Sequence, residues 1–496
     1  MSELENYEFW FIAGSQQMYG PEVLARVREH SAAIVSGLSL SPSIPSPLIL
    51  KKTADTPSEI LSIFREANAE ARCAGIITWM HTFSPAKMWI GGLSINHKPL
   101  LHLHTQYNRD IPWSDIDMDF MNLNQSAHGD REHGYIMTRM RKARKVVVGH
   151  WQDPDVQRQI GSWMRAACAY ADGQTKGTVR FGDNMREVAV TEGNKVSAQI
   201  QFGWATNTYS LGDLCQEIDA VTAPEVASLM DEYRGLYTFS DSVAREPALL
   251  EQVREQARIE LGIRSFLDSH DAASFTTTFE NLDGLKQLPG VAAQHLMQEG
   301  YGFGAEGDWK TAALVRAMKV MGEGLQGGTS FMEDYTYNLE PGKEMVLGAH
   351  MLEVCPSIAK DKPRMEVHPL SIGDRGDPAR LVFDAQTGPA LAATVLDLGD
   401  RFRFLANEVE SVPLPQPMPK LPVARALWVP YPSFKGALKL WLLAGGAHHT
   451  SFSTQVSTET LRDYARIAGV EFVLIGRKTD EDELSARLED DFLVKN

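Results

Sequence analysis

Up to about residue 321, short apolar runs alternate with amphipathic stretches of helical period. After Gly324-Leu325-Gln326-Gly327-Gly328, short strands follow one another through hairpin turns. This change of texture constrains the fold more than any other feature. Strands separated by helices must pair in parallel, because only a long crossover returns the chain to the same end of a sheet. The expected class is therefore α/β. N-terminal and central α/β domains with parallel sheets precede a C-terminal antiparallel, β-barrel-like domain with a terminal helix. The expected boundaries divide the chain into 1–176, 177–325 and 326–496. A chain of 496 residues is too long for a single core, as several domains require.

In the first part, the runs 8–13, 47–51, 75–79, 99–103 and 145–148 read as strands. Helices open at Pro21 and Pro57, where a fixed φ suits the first helical turn. The middle part adds strands at 179–182 and 274–279. Its helices fall at 223–234, 248–267, 291–298 and 308–321. Beyond 326, strands are expected at 331–338, 345–354, 381–384, 391–398 and 401–408, with a turn at Thr387-Gly388-Pro389. A helix over 458–468, a strand over 470–475 and an acidic tail follow. Ligands of parallel sheets gather at the carboxyl ends of the strands. That makes Gly14–Gly20 and Met80–Phe83 candidate site loops.

The net charge of -16 and pI of about 5.4 exclude a nucleic-acid surface, which needs excess base. The one basic run, Arg139 to Lys145, reads as a solvated helix face. No run approaches a membrane span, and the N-terminus lacks a secretory pattern. Cys73, Cys168, Cys215 and Cys355 are far apart and read as free thiols of a cytoplasmic protein.

Two apparent motifs fail. Gly302, Gly304 and Gly307 fit G-x-G-x-x-G, but a helix rather than a strand is expected before them. Those glycines instead let backbone pass close to a ligand or a packed helix. Asp115, Asp117 and Asp119 begin like a calcium loop, but Phe120 and Ser126 stand where Gly and Glu are required.

Four segments carry ionisable groups among small residues and aromatics: 302–309, 330–335, 347–350 and 444–450. They present Glu306, Glu333, His350, His448 and His449. Their spacing is too scattered to define a metal site by itself.

The runs Ala305-Glu306-Gly307-Asp308-Trp309-Lys310, Thr329-Ser330-Phe331-Met332-Glu333-Asp334-Tyr335 and Ala444-Gly445-Gly446-Ala447-His448-His449-Thr450 resemble L-arabinose isomerases. So do Gly14-Ser15-Gln16, the stretches 81–89 and 117–125, and Phe181-Gly182-Asp183-Asn184-Met185-Arg186. The resemblance runs from about residue 7 to about 453. It implies an aldose–ketose isomerase acting on L-arabinose. It implies one divalent cation per subunit, Mn²⁺ with Co²⁺ or Mg²⁺ as substitutes, held by Glu306, Glu333, His350 and His449. The two glutamates are implied as the acid/base pair. Gln16, Met18, Tyr19, Phe83, His128, Met185, Phe279, Ile372 and His448 are implied to line the sugar pocket. A homotrimer or homohexamer with sites at subunit junctions is implied as well. Gln17 and Met18 stand where His and Leu are frequent in the family. A metal-dependent sugar epimerase or lyase on the same scaffold is the alternative reading, and a non-catalytic sugar sensor is a third.

Overall fold

The computed structural model describes residues 3–370 and 375–493. Among these residues the chain divides into two compact units. One is Met1–Ala171 with Glu459–Gly469, and the other is Asp172–Thr458 with Val470–Asn496.

In the first unit, β1 (Glu8–Gly14), β2 (Leu48–Leu50), β3 (Cys73–Met80), β4 (Leu100–His104) and β5 (Lys145–Val148) form a parallel sheet in the order β2-β1-β3-β4-β5. β3 is buried along its whole length, as a strand covered on both faces must be. The Gly20–Ser39 helix starts through Pro21 and buries Leu24, Val27 and Ile34. The Pro57–Ala69 helix is capped by Thr56, which accepts the Glu59 N–H, and it buries Ile60, Ile63 and Phe64.

The basic run is not a solvated helix face. The Ser126–Arg139 helix takes only its first member, and Lys145 is a buried residue at the start of β5. Its ammonium donates to the Gln159 carbonyl at 2.8 Å, Glu459 at 2.9 Å and Asp463 at 2.5 Å. Lys145→Met would leave the Asp463 carboxylate buried without that partner. The expected loss is about 3–5 kcal/mol, read as a lower midpoint of chemical unfolding.

The second unit begins with β6 (Gly177–Phe181), β7 (Thr206–Tyr209), β8 (Thr238–Phe239), β9 (Ala272–Thr276) and β10 (Gly302–Gly304). Four of them make a parallel sheet in the order β10-β9-β6-β7. Then come β11 (Thr329–Asn338), β12 (Met345–Ala349), β13 (Arg364–Val367), β14 (Ala379–Val382), β15 (Gly388–Asp397), β16 (Phe402–Val412), β17 (Arg425–Pro430), β18 (His449–Ser453) and β19 (Glu471–Ile475). Six of these close an antiparallel barrel in the order β15-β18-β11-β12-β17-β16, sealed by the β15–β16 pairing. β19 adds to β16 in parallel, and β8, β13 and β14 form a small separate sheet.

The fold class is as expected, with four local corrections. β12 stops at Ala349, so the expected 345–354 strand is cut where His350 turns away. Thr387-Gly388-Pro389 does not join two paired strands. Gly388 and Pro389 open β15, which pairs with β16, while β14 pairs with β13. Pro389 is tolerated there because it sits at the strand's beginning. The acidic tail forms a helix, Glu481–Leu493, with Glu481, Asp482 and Glu483 in its first turn, where the helix dipole favours them. Gly302 and Gly304 lie in strand β10 itself. A Cβ on Gly302 would sit 2.1 Å from the Ala312 carbonyl, and one on Gly304 would sit 2.3 Å from that of Asp308. These glycines let the following helix pack against the strand.

That helix, Trp309–Gly322, is buried on nearly every side because it touches strands of both the parallel sheet and the barrel. Such a helix must satisfy its polar groups internally. Lys310 donates to the carbonyls of Val190 at 2.9 Å and Glu192 at 2.6 Å. Arg316 clamps both oxygens of Asp172, at 2.9 and 2.7 Å.

Candidate active site

Strand register places three of the ionisable residues. In β11, Glu333 lies opposite Ala349 of β12 on one side and His449 of β18 on the other. His350 follows Ala349 directly. The fourth, Glu306, comes from the loop between β10 and the Trp309–Gly322 helix. Its backbone has φ +61°, a left-handed conformation that costs free energy for a residue other than glycine. Several contacts hold the loop in place. The Met185 N–H donates to the Glu306 carbonyl at 2.9 Å, the Gly307 N–H to Thr277 at 2.9 Å, and the Asn184 amide to the Gly307 carbonyl at 3.2 Å. A Cβ on Gly307 would stand 2.5 Å from the Asn184 Cα. The run 181–186 is thus the bed on which the Glu306 loop lies.

The resulting cluster is tight. His449 Nε2 is 3.7 Å from Glu306 Oε2, and His350 Nε2 is 3.9 Å from Glu333 Oε2. His448 Nε2 stands 3.8 Å from Glu306 and 3.9 Å from Glu333. The closest grouping of ligand-type atoms is Glu306, His448 and His449, all within 4.8 Å of one another. His448, expected to line the pocket, therefore stands as close to the carboxylates as the two histidines expected to be ligands.

Each buried imidazole is oriented by a carboxylate behind it. His449 Nδ1 faces Asp308 Oδ2 at 3.1 Å, and His350 Nδ1 faces Glu353 Oε2 at 2.5 Å. An ionised carboxylate only accepts, so Nδ1 carries the proton and Nε2 offers its lone pair to the cluster. His449 is fully buried, and its Nε2 has no hydrogen-bond partner. An orphaned buried nitrogen 3.7 Å from the Glu306 carboxylate fits a cation-binding site.

The electrostatics agree. The facing imidazole of His448, 3.8 Å away, is the largest influence on Glu306. With the neighbouring imidazoles it holds that carboxyl below its ordinary range against the effect of burial. The same proximity raises His448. Burial pulls His350 down, but the Glu353 carboxylate more than offsets this and the net shift is upward. Burial would raise Asp308, but Lys310, His449 and Thr311 together hold it well below the usual carboxylate range.

Of the other expected pocket residues, Met185 and Phe279 belong to this unit. Phe279 stacks on His350 with ring centres 6.1 Å apart. Ile372 lies outside the described residues. Gln16, Met18, Tyr19, Phe83 and His128 belong to the first unit. There, Gln16–Tyr19 follow the carboxyl end of β1 and Met18 is exposed. Phe83 follows β3, and its ring meets that of His128 edge-on at 5.9 Å.

Sequence reasoning missed Asp308 as an orienting group and missed Glu353 altogether. Asp308 was legible only as a helix-capping acid, since it accepts the Thr311 N–H. Glu353 lies three residues beyond His350, a spacing that carries no signal outside a helix.

Comparison with known proteins shows which family the chain resembles along its length. Models of the L-arabinose isomerase N-terminal, central and C-terminal domains match residues 3–175, 177–324 and 328–471. An L-arabinose isomerase of Thermotoga petrophila is 59% identical over 488 residues, 98% of each chain. One of Geobacillus stearothermophilus is 61% identical over 479 residues, 97% of this chain and 96% of its own. With three successive family models along its length and relatives alike over almost all of it, the chain belongs to the L-arabinose isomerase family.

Proposed function

We propose that this protein interconverts L-arabinose and L-ribulose, with Glu306 and Glu333 as the acid/base pair. The full-length likeness to proteins named L-arabinose isomerase carries the reaction. The paired carboxylates beside the buried imidazoles of His350 and His449 support the choice of residues.

The isomerisation moves a proton between C2 and C1 and another between O1 and O2. One carboxylate takes the C2 proton of the open-chain aldose, and a cis-enediol results. The other carboxyl exchanges protons at the oxygens, and proton return at C1 gives the ketose. Such general acid–base help is worth about 10²–10⁴-fold in rate. Glu306 and Glu333 both stand beside His448, so either can act as base while the other acts as acid. Glu306, Glu333, His350 and His449 would hold one divalent cation per subunit. Their mixed oxygen and imidazole donors suit Mn²⁺, with Co²⁺ or Mg²⁺ as substitutes. When bound, the cation supplies Lewis-acid stabilisation of charge on the sugar oxygens. His448 and Phe279 would position the sugar. Gln16, Met18, Tyr19, Phe83 and His128 would complete the pocket across a subunit junction of a homotrimer or homohexamer. Domains 1–176, 177–325 and 326–496 would carry these parts. The four free cysteines suit a reducing cytoplasm, and no helix among the described residues is long and apolar enough to cross a membrane.

Chelator-stripped protein offered L-arabinose is expected to form no L-ribulose until Mn²⁺ is restored. Undiminished turnover without metal would contradict the reading.

A further inference from the structure

A separate group in the second unit has the same construction. Glu232, His295 and Glu299 bring one imidazole nitrogen and two carboxylate oxygens within 4.8 Å of one another. His295 lies in the last turn of the Val291–Gln298 helix, and Glu299 follows it at i+4 on the same face. Glu232 comes from the Ala223–Leu236 helix.

His295 is 1% exposed, and its Nδ1 donates to Glu260 Oε1 at 2.8 Å. Glu260 is itself fully buried. It also accepts from the Tyr233 hydroxyl at 2.5 Å and from Arg264 at 2.7 Å. The proton is therefore on Nδ1, and the Nε2 lone pair points at Glu232 Oε1, 3.6 Å away. A lone pair facing carboxylates is repulsive unless positive charge lies between them.

A proton on Nε2 would satisfy this arrangement poorly, since 3.6 Å is too long for an N–H···O bond. It is close to the separation of two ligands on one ion. Metal bonds of about 2.0–2.2 Å at a tetrahedral angle put their donor atoms about 3.4 Å apart. The charge count agrees. Glu260 and Glu299 pair with one guanidinium, Arg264, and Glu232 adds a third carboxylate beside His295, so the carboxylates outnumber the guanidinium by two. The pattern repeats that of His449 with Asp308 and His350 with Glu353. There too a buried carboxylate orients an imidazole whose Nε2 stands 3.7–3.9 Å from a glutamate. Glu232 and Glu299 are partly exposed, so an ion can enter from solvent.

We propose that Glu232, His295 and Glu299 form a second divalent-cation site, of the nitrogen–oxygen type that takes Zn²⁺, which ties two helices of the second unit together. It stands apart from the proposed acid/base centre and does not depend on the reaction assigned there.

Full-length protein, stripped and re-equilibrated with Zn²⁺, tests this by counting ions per subunit and titrating their affinity. Wild type is expected to bind one ion more than His295→Gln. Because His295 packs against Tyr233 and Tyr237, Glu232→Gln is the variant that decides. Its side chain is half-exposed, and it is expected to weaken the same ion at least about tenfold. His449→Gln should leave this ion in place, which separates the two sites. The proposal is overturned if wild type takes up no second ion, or if Glu232→Gln holds it at wild-type affinity.

Discussion

Glu306→Gln and Glu333→Gln are each expected to lower kcat by at least about 10³-fold while the protein stays folded. Each substitution removes a proton-transfer group, a loss worth about 10²–10⁴-fold by itself. Each also removes an anionic donor from the cluster. Folding should survive, because neither carboxylate caps a helix or holds the core. Both carboxylates stand within 4 Å of the partly exposed His448 imidazole. Turnover of L-arabinose and far-UV circular dichroism on the same samples check both parts. Near-normal kcat in either variant would remove that residue from the acid/base pair. In D₂O the ketose should carry solvent deuterium at C1. Complete retention of the original hydrogen would replace the enediol with a hydride shift.

Asp308→Asn is expected to be the most damaging substitution among residues that touch no substrate, and the reason lies in its hydrogen bonds. Oδ1 accepts the Thr311 N–H at 3.1 Å as the helix cap, while Oδ2 faces His449 Nδ1 at 3.1 Å. Asparagine must keep its carbonyl where the N–H donates. Its NH₂ therefore replaces Oδ2 and donates to His449 Nδ1. The imidazole then carries its proton on Nε2, the atom that must be free to bind a cation. The opposite amide orientation points two donors at each other and costs about 1–3 kcal/mol. Mn²⁺ affinity should fall about 10–100-fold, the usual range for such orienting partners. Glu353→Gln makes the contrast. There one oxygen, Oε2, receives both the Leu352 N–H at 3.1 Å and His350 Nδ1 at 2.5 Å. A carbonyl at that position preserves the tautomer, so the loss should be clearly smaller. Mn²⁺ titration of both variants reads the difference, and equal losses would contradict the tautomer argument.

These two cases also show how far the sequence could be read. Glu306, Glu333, His350 and His449 were visible because each stands in a run of small and aromatic residues, and the family resemblance joined them. Their convergence was not visible. It depends on the β11 register, which sets Glu333 opposite His449, and on a barrel closure that no local pattern encodes. Strands with helices between them were legible from periodicity, and the Thr458–Ala468 helix falls where it was expected. The turn at Gly388-Pro389 was misread because glycine and proline signal turns locally, whereas strand pairing is decided by distant partners. Lys145 was misread for the same kind of reason. Its partners Glu459 and Asp463 lie more than 300 residues away.

Two imidazoles and two carboxylates from four separate segments would share one cation. Pulsed electron paramagnetic resonance of the Mn²⁺-loaded protein tests it directly by counting coordinated imidazole nitrogens. Two are expected in the wild type, one in His350→Gln, one in His449→Gln, and two in His448→Gln. A Mn²⁺ spectrum without imidazole coupling, or one that the His350 and His449 substitutions leave unchanged, would contradict the account.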